Sequence, residues 1–76
     1  MRNSVYTEEY QRFILKLKKA RLESGLKQIE VARKLNQPQS YVSKCESGEK
    51  RVDIIELCRF AKIYNKEINY FLSCSD

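Results

Sequence analysis

Gln39, Ser40, Ser43, Lys44 and Ser47 fall within one nine-residue stretch. Wound as a helix, that stretch turns Val42 and Cys45 to one side and leaves the five polar side chains as a stripe on the other. Their chemistry is hydrogen bonding. A Gln amide pairs with adenine, a Lys ammonium reaches guanine acceptors, and Ser is short enough to let a helix sit deep in a major groove. The plain alternative is a solvated helix face. Bond-making chemistry lacks its parts: the chain has no His, no Gly-rich phosphate loop and no pair of inward carboxylates, so no enzyme is expected.

The elements that must hold this stripe lie just before it. Gln28 to Cys45 reads QIEVARKLNQPQSYVSKC, two short amphipathic helical patterns joined by a tight break, the layout of a helix-turn-helix. Two helices crossing steeply need a small residue at the contact, and Ala32 suits that place, with Val42 and Cys45 filling the inside. The turn favours a positive backbone angle, which Asn36 adopts more readily than most residues though less freely than Gly.

Around the motif, helical periodicity predicts three more helices. Thr7 caps the first, with Glu8 and Glu9 complementing its positive end. Tyr10, Phe13, Ile14 and Leu17 form its inner stripe, extending to Ala20 and Arg21, and Ser24-Gly25 should stop it. In the second helix, Gln28 to Leu35, Val31, Ala32 and Leu35 point inward, and Lys27 is a poor N-cap. Pro38 suits the first turn of the third helix, about Pro38 to Glu46, which Ser47-Gly48 stops. Asp53 caps a fourth helix with Ile54, Leu57, Cys58, Ala61 and Tyr64 inward, broadened by Phe60 and Ile63; Asn65 closes it. Ile68, Phe71 and Leu72 give a short fifth helix with Tyr70 partly exposed. Residues 1–6 read as a loose arm, 7–72 as the domain and 73–76 as a tail.

Composition sets bounds on all this. Seventy-six residues with 42% apolar and 33% charged side chains suit one small globular domain rather than a disordered chain. Net charge is +5 and uneven: the first 51 residues carry twelve basic and six acidic side chains, the last 25 three and four. A basic front suits a polyanion partner. Cys45, Cys58 and Cys74 are odd in number and widely spaced, so neither a disulfide framework nor a metal motif is expected, and no cofactor. Cys45 and Cys58 read as small core hydrophobes and Cys74 as an exposed thiol. With no apolar run near membrane length and no signal-peptide block, a cytoplasmic protein is expected.

Taken together, residues 10 to 72 resemble the phage repressor and Cro (XRE-type) family of helix-turn-helix domains. The resemblance rests on Arg21, Gly25-Leu26, Gln28, Ala32, Leu35, Ser43, Glu46, Gly48, Arg51 and the apolar fourth helix. It implies an all-α, compact five-helix bundle, lambda-repressor-like, that binds operator DNA, usually as a homodimer. It further implies that Gln39, Ser40 and Lys44 approach base edges, with Ser43 on the same face, and that Gln28 reaches the DNA backbone. Lys50 and Arg51 match the family's phosphate-contacting loop, and Arg21 and Glu46 match a partly buried structural ion pair.

Three residues depart from the pattern. Lys27 replaces a capping Ser or Thr, Asn36 a turn Gly and Val52 a Pro; Lys27 adds a cation beside helix amides that favour phosphate. A dimeric repressor reading a palindromic operator through the third helix is the expected function. An antitoxin with a protein partner, a restriction-modification controller, or an interaction module without DNA binding share the fold. For self-association, Ile63, Tyr64, Ile68, Tyr70 and Phe71 supply more apolar side chains than one short helix needs.

Overall fold

In the computed structural model, which describes residues 7–72, five helices follow in order: α1 (Glu8–Glu23), α2 (Gln28–Leu35), α3 (Gln39–Ser47), α4 (Ile54–Tyr64) and α5 (Ile68–Phe71). No strand occurs among these residues. The arm assigned to residues 1–6 and the tail of 73–76, Cys74 included, lie outside the described residues.

Local chemistry sets each boundary. The Thr7 hydroxyl accepts the Tyr10 amide at 3.1 Å, satisfying one of the first-turn donors of α1. Gly25 ends α1 at φ +72°, and Leu26 packs back on the core. Asn36 and Asn65 end α2 and α4 in the left-handed region, at φ 59° and 56°, where a short polar side chain is tolerated. Gly48 ends α3 at φ +86°. A Cβ there would stand 2.7 Å from Ile14 Cδ1, the movable end of a side chain, so it is the positive φ more than the space that favours glycine.

Lys27 stands at the N-cap of α2 and offers no side-chain acceptor; instead the Glu30 carboxylate accepts the Lys27 backbone N–H at 2.7 Å. That is half a capping box, run from the far side. Pro38 sits one residue earlier than the first-turn position expected of it: it is the N-cap of α3, with extended ψ of 158°. The ring fixes φ equally well at either place.

The core gathers Phe13, Ile14, Leu17 and Ala20 of α1, Val31 and Ala32 of α2, Val42 and Cys45 of α3, Leu57, Phe60, Ala61 and Tyr64 of α4, and Phe71 of α5. Two parts of the expected packing are corrected. Ile54 and Cys58 are exposed, because α4 turns its Leu57, Phe60, Ala61 and Tyr64 stripe inward. Leu72 lies beyond α5 and is exposed. Tyr64 and Phe71, counted among spare apolar groups for self-association, are core residues, and Ile63, Ile68 and Tyr70 are half-buried against that core. The large apolar side chains left on the surface are Leu15 and Leu22 of α1, Ile29 of α2, Ile54 and Ile55 of α4, and Leu72.

Candidate nucleic-acid interface

On α3, Val42, Cys45 and Glu46 are buried, whereas Gln39, Ser40, Ser43, Lys44 and Ser47 are exposed. The polar stripe thus occupies one face of a helix whose other face is fixed by the core. Burial pushes the Cys45 thiol up to about 11, so it stays protonated at neutral pH and acts as packing. Tyr41 flanks it, its ring stacked 6.3 Å from that of Phe60.

Beneath the stripe runs a chain of polar side chains. Arg21 grips Glu46 with two bonds, Nε to Oε2 at 2.6 Å and Nη2 to Oε1 at 3.1 Å, and donates Nη1 to the Leu26 carbonyl at 3.0 Å. The side chains of Arg21 and Glu46 are 10% and 4% exposed, so this ion pair joins α1 to α3 in the interior. The hydrogen bond to Glu46 raises the Arg21 pKa against the opposing effect of burial. Gln28 Nε2 donates to Glu46 Oε1 at 3.0 Å, and Gln39 Nε2 donates to Gln28 Oε1 at 3.3 Å. Four residues from three helices are linked, ending at the first residue of the exposed stripe. Lys27, next to Gln28, is exposed at the start of α2.

Lys50 and Arg51 part company. Lys50 Nζ donates to both Glu56 oxygens, at 2.8 and 3.1 Å, and to the Arg51 carbonyl at 2.9 Å, and lies 5.4 Å from the Tyr41 ring centroid. An ammonium has three protons, and these bonds use them. In the free chain these bonds hold the α3–α4 loop on α4. Arg51 is exposed, with its guanidinium carbon 4.6 Å over the Tyr10 ring.

Glu56 is the hub of that loop and was not singled out from the sequence. Besides Lys50 it accepts the Tyr41 hydroxyl at 2.8 Å and the Asp53 amide at 2.9 Å, while Asp53 Oδ1 accepts the Glu56 amide at 2.7 Å. Burial pushes its carboxyl up, but Lys50, the Asp53 amide and the Tyr41 hydroxyl together hold it below the ordinary glutamate value. The signal was present as Asp53 followed three residues later by Glu56, a capping box. Tyr10 was read only as an apolar position, yet its hydroxyl accepts the Val52 amide at 2.9 Å and its ring supports Arg51.

Comparison with known proteins agrees with this geometry. Residues 17–71 match the family model named Helix-turn-helix. The chain is similar to the solved structure of an XRE-family like protein from Pseudomonas syringae pv. tomato str. DC3000, with 36% sequence identity and a TM-score of 0.82 over 92% of this chain and 85% of that one. No curated protein matches. No helix among the described residues is long and apolar enough to cross a membrane. The sequence match, the shared backbone and the exposed polar helix coincide on one segment: the chain belongs to the XRE-type helix-turn-helix family of DNA-binding transcription regulators.

Proposed function

We propose that the chain is a sequence-specific, dimeric repressor that reads a palindromic operator in double-stranded DNA through α3. The observation that carries this reading is the exposed stripe of α3, composed of an amide, hydroxyls and an ammonium, beside the exposed Lys27 at the start of α2. Gln39, Ser40, Ser43 and Lys44 meet base edges in the major groove. Lys27, Gln28 and Arg51 hold the phosphate backbone and set position rather than sequence preference. Lys50 takes no phosphate in this scheme. Action in the cytoplasm goes with it.

A single recognition helix spans few base pairs, so specificity calls for two half-sites about 34 Å apart. For self-association the reading uses the apolar side chains that the core leaves outside, Ile54, Ile55 and Leu72, rather than the buried Tyr64 and Phe71. The same exposed groups support a second reading, an antitoxin or controller that also binds a protein partner.

Selection of bound sequences from random duplexes, with sedimentation of the complex, tests the proposal. A palindromic logo and two chains per site are expected. An unenriched pool overturns sequence-specific binding and favours an interaction module; one chain per site overturns the dimer.

A further inference from the structure

We propose that Glu46 is a positioning residue for base readout: it fixes which way round the Gln28 and Gln39 amides face, and so sets the hydrogen-bond pattern that α3 offers to a base. The inference rests on the DNA-binding reading above. Glu46 is buried and its side chain is gripped by Arg21, so it acts only through other residues.

The direction of the chain follows from what each group is able to do. A carboxylate accepts and does not donate. Glu46 Oε1 therefore forces Gln28 to turn its NH2 inward, where the bond measures 3.0 Å. The Gln28 oxygen is left facing Gln39, which must answer with its own NH2, at 3.3 Å. Gln39 commits one N–H to that bond. Its second N–H and its oxygen then share the opposite edge of the amide, a donor beside an acceptor, which matches N7 and N6 of adenine. Left to itself, the terminal torsion of a Gln is broad and roughly two-fold, so nothing in Gln39 alone selects this orientation. The acid buried beneath Gln28 selects it.

Replacing the acid by an amide removes that selection. Arg21 donates to both Glu46 oxygens and Gln28 shares Oε1, so in Glu46→Gln the new NH2 meets an Arg21 N–H whichever way it turns. Residue 46 then offers Gln28 either an oxygen or an NH2, and the Gln39 amide is no longer held in one orientation. Gln28→Leu breaks the chain without touching the ion pair and frees the Gln39 amide to face either way.

The test combines duplex selection with NMR of the side-chain amide signals of the free protein. Gln39→Ala first identifies the base pair that Gln39 reads. At that position both Glu46→Gln and Gln28→Leu are expected to relax the preference for adenine toward parity with guanine, each change roughly 5- to 150-fold in relative affinity. In the free protein both variants are expected to shift the Gln39 NH2 signals. Melting curves check the fold, and if Glu46→Gln does not fold, Gln28→Leu decides. Variants that weaken binding to all duplexes equally, with an unchanged logo and unmoved Gln39 signals, overturn the proposal. If the native chain selects no sequence, the DNA reading fails while the amide signals still decide whether Glu46 orients Gln39.

Discussion

Arg51 and Lys50 carry the same charge on neighbouring residues, and their surroundings divide the labour between them. Arg51 is exposed on the Tyr10 ring, whereas Lys50 is held by Glu56, which raises its pKa through that bond. In DNA titrations at several salt concentrations, Arg51→Ala is expected to flatten the logarithmic salt slope by about 0.9, the release of one counterion. Lys50→Ala is expected to leave the slope unchanged and lower the melting temperature instead. The opposite pair of results would return Lys50 to the phosphate contacts and remove Arg51. Sequence alone does not separate the two. Both read as loop cations, and the distinction comes from where α4 places Glu56 and where α1 places Tyr10.

Helix ends were legible in the sequence because their causes are local. Thr7, Gly25, Gly48, Asp53 and Asn65 each act on backbone groups a few residues away, and each sits at a boundary in the structure. The inward face of α4 was less legible. Eight of its eleven residues are apolar, so periodicity admits more than one stripe, and packing against α1, α2 and α5 chose the one that leaves Ile54 and Cys58 outside. The polar chain through Gln28 and Gln39 was invisible for a different reason: it needs the crossing of α2 on α3, a distance that no spacing along the chain encodes. Two expected outcomes belong to this scale. The Arg21–Glu46 pair ties α1 to α3, and Arg21→Ala or Glu46→Ala strands a buried charge, so each is expected to cost about 3 kcal/mol in denaturant unfolding. Unchanged midpoints would contradict the burial. The Glu56 hub ties α3 and its loop to the start of α4. Because its folded pKa is depressed, the native state binds fewer protons than the unfolded chain as pH falls toward and below the ordinary glutamate value of about 4.3. Its contribution is fully present above that value and is lost as pH falls through the folded pKa. Glu56→Gln is therefore expected to be less stable at pH 7 and to show a shallower acid limb; a limb as steep as the native one would place the acid sensitivity elsewhere.

At the scale of the whole molecule, α1 meets the later part of the chain through contacts remote in sequence. The Tyr10 hydroxyl receives the Val52 amide across 42 residues, and Lys66 donates to Glu23 across 43, at 2.9 Å. The helix-turn-helix, by contrast, closes on itself within Gln28 to Ser47. That difference gives the bundle an order of assembly. Contacts of low contact order cost little loop entropy and form early, whereas the return of the chain onto α1 closes the longest loops. The recognition unit is then expected to be structured at the folding transition state, with the Tyr10–Val52 bond formed after it. Tyr10→Phe keeps the ring and removes the acceptor, a loss of about 1 kcal/mol. In a chevron experiment that loss is expected to quicken unfolding about fivefold and to leave the folding rate within about twofold. A slowing of folding by the same factor would place the first helix in the nucleus instead. With the late-docking order, a chain that has opened the Tyr10 latch still carries a formed pair of recognition helices, and bound DNA would slow its departure from the native state by holding the part that folds first.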